Sequence, residues 1–471
     1  MSARTTTIWT FVITSVALFM VTLDNLVVTM ALPSIRTDLG ATIEDLEWTV
    51  NAYTLSFAVL LLTGAALGDR FGRRRLFSIG LVIFTLASAA AALAPNVETL
   101  IAARAVQGLG GAIVTPLTLT ILSAAVPPAK RGLALGAWGG VGGLGVALGP
   151  VIGGAVVEGL SWQWIFWLNV PLGLVLVPLA WNRLKESFGP DSRLDLPGLG
   201  LASIGLFGIV LALVRGNAVG WGSFEILGSL FLGIAFVAAF VAWELRTAAP
   251  MLPMRFFRNR TFAATNVASL FMFFGMFGSI FLLAQFLQTV QGYSPLEAGV
   301  RTLPWTAMPI FIAPLAGALS DRIGGRPLMA TGLGLQSIGL AWLAAITTPT
   351  VAYSSLVAPF VISGIGMALF FAPVANVVLS SVRRQEEGKA SGTNNAIREL
   401  GGVFGVAVLA SIFSRYGGYE SPAAYVDGLT PAIWVGAAVV GAGAIAALFV
   451  PRRKQAEMVP AQPEIALEQA A

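Results

Sequence analysis

Fourteen apolar runs, each close to the length needed to cross a lipid bilayer, constrain the fold of this 471-residue chain more than any other feature. A membrane-spanning helix needs about 20 predominantly apolar residues. The composition agrees, since 56% of the residues are apolar, 11% are charged and the mean hydropathy is +0.82. We therefore predict an all-α integral membrane protein with fourteen transmembrane helices. The runs are approximately 8–32, 48–67, 76–93, 100–126, 132–157, 164–181, 194–214, 224–243, 261–287, 298–319, 328–346, 354–379, 390–413 and 431–450.

The basic residues fall mainly in every second connection between these runs. With the N-terminus placed in the cytoplasm, 22 of the 28 lysines and arginines lie on the cytoplasmic side, four lie outside, and Arg104 and Arg398 lie within spans. Positive charge favours the cytoplasmic loops of membrane proteins. We therefore predict a multi-pass protein of the inner (plasma) membrane with both termini cytoplasmic. The excess of arginine over lysine indicates a bacterial source with a GC-rich genome.

A charged turn between the second and third runs, Gly68–Arg75, is repeated after the tenth run. Aligned on Asp69 and Asp321, both copies read small-Ala-Leu-small-Asp-Arg-x-Gly-x-Arg, which is typical of internal duplication. The copies are eight helices apart, whereas a six-plus-six duplication would separate them by six. Two additional helices must therefore lie between the halves. The predicted domains are an N-terminal six-helix bundle at 1–184, a linker with two additional helices at 185–250, a C-terminal six-helix bundle at 251–454 and a disordered cytoplasmic tail at 455–471.

Several motifs in this order resemble those of the major facilitator superfamily, in its fourteen-helix drug:proton antiporter branch, over about residues 8–450. The resemblance implies a transporter with two six-helix bundles around a central cavity. It also implies a proton gradient as the energy source and no cofactor. The matching segments are Leu23-Asp24 with Ala31–Pro33, the turn Gly68–Arg75, Arg104–Gly108, Gly145–Pro150 with Gly153-Gly154, and Trp162–Phe166 with Asn169–Pro171, although Gln163 replaces the commoner Arg.

Charged residues within spans are the first candidates for function, because each costs about 2.5–3.5 kcal/mol at mid-span. Asp24 in the first run and Arg104 in the fourth lie at similar predicted depths. If both helices line the cavity, as in the family, the two side chains can face each other. They would form either a fixed structural ion pair or a switchable pair in which protonation of Asp24 releases Arg104.

The thirteenth run carries Arg398 and Glu399. Adjacent helical residues point about 100° apart, so these two are poor partners for each other. Glu399 is either a second carboxylate for proton coupling or cation recognition, or a polar group that only packs the helix.

The fifth run carries Gly145, Gly149 and Gly153 at intervals of four, with Pro150 and Gly154 beside them. Such a stripe lets another helix approach closely. It serves either packing alone or, as the resemblance implies, a seam between the two halves that marks exporters. The second reading favours efflux over uptake.

The charged turn is the candidate gate. The resemblance implies that Asp69 meets the N-terminus of the thirteenth helix and closes the cytoplasmic side, which suits a carboxylate at a helix N-terminus. The alternative is that its arginines only set the topology. The gating candidates are Gly68, Asp69, Arg70, Gly72 and Arg73, with Asp321 and Arg322 in the second copy.

The substrate cavity is predicted from aromatic, methionine and amide side chains on inward helices, since such surfaces suit flat, lipophilic or cationic ligands. Packing or lipid contact is the alternative for each residue. The candidates are Trp48, Asn51, Tyr53, Gln107, Asn266, Phe273, Met276, Phe281, Gln285 and Asn376.

Other functional classes fit less well. The chain has no His and no Cys, which excludes thiol chemistry and histidine-dependent catalysis. No lysine is followed by Ser or Thr, so there is no Walker A loop. We predict no enzyme, no metal site and no nucleic-acid partner, but a monomeric, proton-coupled exporter of lipophilic drugs or antibiotics, cationic ones included. A dedicated exporter of one metabolite or antibiotic is the alternative, ahead of a proton symporter or a membrane sensor.

Overall fold

The computed structural model describes residues 3–127, 131–189, 194–383 and 386–451. Within these ranges the chain is helical, without β-strands, and fourteen helices are long and apolar enough to span a membrane. The predicted all-α class and number of spans are confirmed. The spans are α1 (Thr5–Leu39), α2 (Ile43–Phe71), α3 (Arg73–Ala92), α4 (Val97–Ala125), α5 (Ala137–Gly159), α6 (Trp164–Arg183), α7 (Leu196–Val219), α8 (Phe224–Glu244), α9 (Arg260–Val290), α10 (Pro295–Ser320), α11 (Gly325–Ile346), α12 (Tyr353–Ser380), α13 (Lys389–Tyr416) and α14 (Pro422–Leu448).

Several helices begin earlier than the apolar runs indicate, because their first turns are polar and capped. Thr42 and Asp45 form a capping box at the start of α2, five residues before the predicted start. Ser421 caps α14, which begins nine residues early. Helix α1 likewise continues through Pro33 to Leu39. Polar residues near these ends are therefore inside helices.

Helices α1–α6 pack together as one bundle and α9–α14 as a second, with the pair α7 and α8 beside them. Helix α7 contacts α2 of the first bundle and α13 of the second. Leu55, Val210 and Val403 share a small apolar core at this junction. The inserted pair therefore covers one seam between the halves. The predicted domain limits remain predictions, and the tail 455–471 lies outside the described residues.

The repeated charged turn is also a repeat of backbone geometry. Gly72 between α2 and α3 has φ +104°, and Gly324 between α10 and α11 has φ +82°, a region that favours glycine. Gly68, predicted to help form the turn, instead lies within α2. A Cβ there would stand 2.2 Å from Leu117 Cδ2, so this glycine permits close packing of α2 on α4.

The two halves make polar contacts at the end of the molecule away from these turns. We call the end that carries Gly72 and Gly324 the basic end, and the other the opposite end. At the opposite end, Glu158 on α5 accepts hydrogen bonds from the Ser294 hydroxyl and from the Leu296 backbone N–H, the latter at 3.0 Å. The Gln288 amide donates to the Met30 carbonyl at 3.1 Å. These contacts join the halves there.

A cation–π contact also joins the two halves at the opposite end. The Arg36 guanidinium at the end of α1 lies 3.7 Å from the centroid of the Tyr419 ring, which belongs to the connection between α13 and α14. Burial raises the pKa of the Tyr419 hydroxyl. The hydroxyl therefore stays protonated and donates to Gln285 Oε1 of α9. A cation–π contact and a hydrogen bond thus link α1 and α9 to the α13–α14 connection at the opposite end.

Candidate functional site

A buried polar cluster around Asp24 lies inside the first bundle. Asp24 is 1% exposed, and its Oδ2 accepts a hydrogen bond from Arg104 Nη1 at 2.6 Å. Its Oδ1 accepts from the amides of Gln107 and Asn169, each at 2.8 Å. The structure thus brings α1, α4 and α6 together on one carboxylate.

Arg104 is equally buried and has several further partners. Its Nη1 also donates to Gln107 Oε1 at 2.7 Å, and its Nε donates to the Thr49 carbonyl at 3.3 Å. The guanidinium lies 4.2 Å from the centroid of the Tyr53 ring. An ion pair this deep has high desolvation costs and needs such additional partners. The hydrogen bonds therefore fix the geometry of the cluster, and the loss of either charge would destabilise the protein.

Close helix packing makes this geometry possible. A Cβ on Gly108 would stand 2.1 Å from Ser56 Oγ and 2.3 Å from the Tyr53 carbonyl oxygen. The Ser56 hydroxyl bridges the two helices by donating to the Ala105 carbonyl at 2.8 Å. The glycine of the Arg104–Gly108 segment thus sets the separation of α2 and α4, and with it the position of Arg104.

Asn169 is a member of the cluster that was not among the predicted site residues. Its amide nitrogen donates to the Ser88 hydroxyl at 3.0 Å as well as to Asp24. The Ser88 hydroxyl in turn donates to the Phe166 carbonyl at 2.8 Å. The signal was present in the sequence, because Asn169 belongs to a segment that resembles the family, but its distance in sequence from Asp24 gave no indication of contact.

Arg398 and Glu399 on α13 point in different directions, as adjacent helical residues must. The Arg398 guanidinium lies 4.4 Å from the centroid of Phe273 and 5.1 Å from that of Phe371, and its Nη1 donates to Asn395 Oδ1 at 3.2 Å. Glu399 lies three residues after Ala396 on the same face of α13, and Ala396 packs in an apolar cluster of the first bundle that includes Tyr53. The Oε2 atom of Glu399 is buried without a hydrogen-bond partner among the described residues. Glu399 therefore faces the half that carries Asp24.

A third carboxylate, Glu47, was missed because it precedes the predicted start of the second span. The early start of α2 places it within the helix, 2% exposed, with its Oε2 lacking a hydrogen-bond partner in the described part of the chain. Asn51 lies one turn further along the same face and is fully buried, and both its side-chain polar atoms lack partners there. Unsatisfied buried polar groups are costly and uncommon. The two residues form an additional polar site on α2.

The remaining predicted cavity residues are divided among several places. Tyr53 and Gln107 contact Arg104, and Phe273 contacts Arg398. Trp48 instead lines a lateral groove between α2, α4 and α7. The others are buried within α9 (Asn266, Met276, Phe281, Gln285), except Asn376, which is exposed on α12.

Two of the buried α9 amides join helices of the second bundle. Asn394 of α13 donates to Asn266 Oδ1 at 3.0 Å. Gln285 accepts from Tyr419 and donates to the Phe281 carbonyl at 2.9 Å. Their polar atoms are thus engaged by the protein in this conformation.

The charged turn contacts the segment that follows α6 rather than the start of α13. Asp69 Oδ1 accepts a hydrogen bond from Arg73 Nε at 2.8 Å, and the Gly189 backbone N–H donates to the Asp69 carbonyl at 3.0 Å. Among the described residues, the contact of Asp69 with α13 implied by the family is absent from the hydrogen bonds and ion pairs. Arg70 and Arg322 are exposed, and the side chain of Asp321 lies outside the described residues.

Glu186 in that segment caps α3. Its carboxylate accepts from the backbone N–H of Arg74 at 2.9 Å and from that of Arg75 at 3.2 Å. These are donors that a helix N-terminus leaves unsatisfied, and a negative charge there is favourable. Glu186 thus fixes the linker beside the turn.

We expect Glu186→Ala to lower the free energy of unfolding by about 1 kcal/mol, the usual cost of removing an N-terminal cap. Thermal unfolding in detergent micelles measures this. Asp427→Ala removes an exposed carboxylate from α14 and is the control. Equal thermal stability of the two variants would contradict the capping role.

The three glycines of the α5 stripe pack against α1 of their own bundle, which agrees with the packing alternative for these residues. Cβ atoms at Gly145 and Gly149 would stand 2.3 Å from Thr22 Oγ1 and 2.8 Å from Leu26 Cβ. Gly153 similarly lies against Val27 of α1. The stripe therefore holds α5 on α1.

The neighbouring residues Gly154 and Pro150 do face the other half. A Cβ on Gly154 would stand 2.2 Å from the Pro295 carbonyl oxygen, and one on Gly299 would stand 2.3 Å from the Pro150 carbonyl oxygen. The backbones of α5 and α10 thus meet here across the two bundles. This face of α5, rather than its stripe, forms the seam.

Comparisons with known proteins agree with this architecture. The sequence model of a family described as Major Facilitator Superfamily matches residues 14–303 and 265–467. Multidrug resistance protein Stp of Mycobacterium tuberculosis is 35% identical over 413 residues, covering 87% of this chain and 76% of that protein. The tetracenomycin C resistance and export protein of Streptomyces glaucescens is 34% identical over 434 residues, covering 90% and 79%.

The fold is also similar to that of solved structures. An inward-facing, unoccupied bacterial homologue of the human lysosomal transporter Spinster superposes with a TM-score of 0.67 at 18% identity, covering 94% of this chain and 97% of that one. At this identity the likeness concerns the fold alone.

Proposed function

Because this chain belongs to the Major Facilitator Superfamily, we propose that it exports small lipophilic molecules by alternating access, powered by a proton gradient. Relatives that cover most of the chain are named as multidrug resistance and antibiotic export proteins. Their names favour efflux over uptake.

The observation that carries the proton-coupled part is the buried Asp24–Arg104 pair. Three side-chain donors converge on this carboxylate, and one of them is the guanidinium of Arg104. Protonation would remove the ion pair and leave Arg104 without its counter-ion. The protonated and ionised forms of Asp24 would therefore favour different arrangements of α1, α4 and α6, which coupling requires.

Glu399 supplies a second carboxylate from the other bundle. It lies on the face of α13 that packs against the first bundle, where Tyr53 stacks on Arg104, so a substrate between the halves would meet both charged clusters. A cationic substrate would gain from Glu399 and from the Phe273 and Phe371 rings around Arg398 once that guanidinium moves. We assign proton coupling to Asp24 with Arg104, and substrate or second-proton binding to Glu399 with Arg398.

Alternating access fits the asymmetry between the two ends. At the opposite end, Glu158, Gln288 and Arg36 join the halves. At the basic end, Asp69 bonds to Arg73 and is free to exchange this partner for the start of α13 when that end closes. We place the basic end in the cytoplasm, because most basic residues lie there. The proposed location is a bacterial plasma membrane, where the chain works as a monomer without a cofactor.

Transport by the purified protein in proteoliposomes tests this function. Under an imposed pH gradient we expect uphill movement of a fluorescent lipophilic cation, and we expect it to stop when an ionophore collapses the gradient. Transport of the cation at the same rate with and without the pH gradient would reject proton coupling. Facilitated transport would then be the remaining function.

A dedicated antibiotic exporter is the second candidate, because one relative is named for resistance to and export of a single compound, tetracenomycin C. A panel of unrelated lipophilic compounds in the same assay separates the two. Transport of several of them supports a multidrug exporter, whereas transport of one structural class supports a dedicated one.

A further inference from the structure

The inserted pair of helices creates a groove on the lipid-facing side of the first bundle, and the function proposed above does not use it. Helix α7 lies across from α2 and α4 and leaves a groove of about 750 Å³ between them. This volume is within the ~300–1,000 Å³ typical of small-molecule sites. Eleven of its fourteen lining residues are apolar. The groove is therefore large enough for a ligand and suited to hydrocarbon.

The groove is elongated along the membrane normal. On α2 its lining residues extend from Trp48 to Leu60, about 18 Å at ~1.5 Å per residue. Both α2 and α4 begin at the opposite end of the molecule, so Trp48 and Glu98 mark the end of the groove near the membrane surface. The deeper part is lined by Val59 and Leu60 of α2 and by Ser203 of α7, which runs in the opposite direction to α2. Its shape is that of a site for a long, thin molecule with one distinct head.

The chemistry of the head follows from the residues at the outer end. Glu98 is exposed in the first turn of α4, and among the described residues it forms no ion pair. In contrast, Glu44 and Glu225 at the same end both pair with Arg215. Trp48 lines the same end of the groove as Glu98. The centroid of its ring is 5.7 Å from that of the Phe207 ring on α7. A carboxylate beside aromatic faces is the usual recognition of a quaternary ammonium or similar cation.

We propose that this lateral groove is a binding site for cationic amphiphiles that enter from the membrane, with the head at Glu98 and the tail along α2 towards Leu60. Glu98 would repel an anionic head group, and it would add no electrostatic stabilisation to a neutral lipid. The groove would thus concentrate one class of lipophilic compound at the seam covered by α7. This inference rests on the proposed export of lipophilic cations for its physiological meaning, but binding itself needs no transport.

Photolabelling of the protein in phosphatidylcholine nanodiscs tests the site without a gradient. The probe is a decyl chain that carries a terminal diazirine and a trimethylammonium head, and the matched probe carries a sulfate head instead. We expect the cationic probe to label peptides that contain residues 48–60 and 203–211 about fivefold more than residues 227–239 on the exposed face of α8. We expect the sulfate probe to label all three equally.

Glu98→Gln should reduce the labelling of the groove by the cationic probe to the level of α8. Asp427→Asn removes an exposed carboxylate from α14, which also begins at the opposite end, and should change nothing. Labelling that is unchanged in Glu98→Gln, or equal for both head groups, would overturn the proposal and make the groove ordinary lipid boundary. Asp24→Asn should retain groove labelling, so a failure of proton coupling remains distinct from a failure of this site.

Discussion

Replacing Arg104 by alanine is expected to lower the free energy of unfolding by about 3–5 kcal/mol, the cost of leaving a buried charge without its partner. Asp24 and Arg104 are each 1% exposed, so in this conformation their charges are solvated by each other and by neighbouring side chains rather than by bulk water. The Gln107 and Asn169 amides would remain, but they carry no compensating charge. Chemical unfolding in detergent micelles measures the change.

Removing both charges together should be much less harmful than removing one. In the double variant Asp24→Asn, Arg104→Gln, no buried charge is left, and the amides can continue to bond to one another. We expect this variant to recover most of the stability lost in Arg104→Ala. Arg215→Ala is the matched control, because Arg215 also forms ion pairs, with Glu44 and Glu225, but its side chain is 37% exposed, and such pairs contribute about 0–1 kcal/mol. Equal losses for Arg104→Ala and Arg215→Ala would contradict the account of the cluster.

Replacing Gly154 by alanine is expected to shift the protein away from the conformation in which the opposite end is closed. The new Cβ would lie 2.2 Å from the Pro295 carbonyl oxygen, which belongs to the backbone and cannot turn aside. Overpacking of this kind costs about 1–3 kcal/mol. Because the contact joins the two halves, this cost applies to the closed arrangement and would change its population by roughly 5- to 150-fold.

Spin labels at Leu93→Cys and Thr350→Cys report this change, because both positions are exposed in connections at the opposite end of different halves. The chain has no native cysteine to interfere. We expect a longer distance in Gly154→Ala, and the same change in Gly299→Ala, which meets the Pro150 carbonyl oxygen across the same seam. Gly143→Ala on α5 meets nothing within 4 Å and is the control. A distance distribution shared by Gly154→Ala and Gly143→Ala would show that the seam does not set the conformation.

Hydropathy and length were sufficient to predict the membrane spans, because hydrocarbon imposes one simple requirement on every helix. The depth of Asp24 and Arg104 in their runs also indicated that they could meet. Glu47 escaped notice for a physical reason, since a capped polar first turn extends α2 beyond the apolar run. Hydropathy therefore underestimates the length of helices near the membrane surface, where their polar first turns lie.

Packing partners were much harder to predict than positions in helices. The stripe of Gly145, Gly149 and Gly153 indicates close approach of a helix, but any helix with matching side chains satisfies it, and α1 rather than the other half is the partner. Asp69 similarly contacts Arg73 and lies against Gly189, whereas the family implied α13. A gate changes partners during its cycle, so a single conformation holds only one of them. The inserted helices gave no functional signal in sequence because their groove is formed jointly with α2 and α4.

Energy coupling at Asp24 is the central claim, and one pair of transport measurements tests it most directly. Proteoliposomes with the wild type, Asp24→Asn or the control Asp427→Asn are assayed for accumulation driven by a pH gradient, and separately for exchange of labelled against unlabelled lipophilic cation without a gradient. We predict that Asp24→Asn loses the gradient-driven accumulation but retains exchange, while the control retains both. Gradient-driven accumulation by Asp24→Asn equal to that of the wild type would contradict the claim and would transfer the proton-coupling role to Glu399.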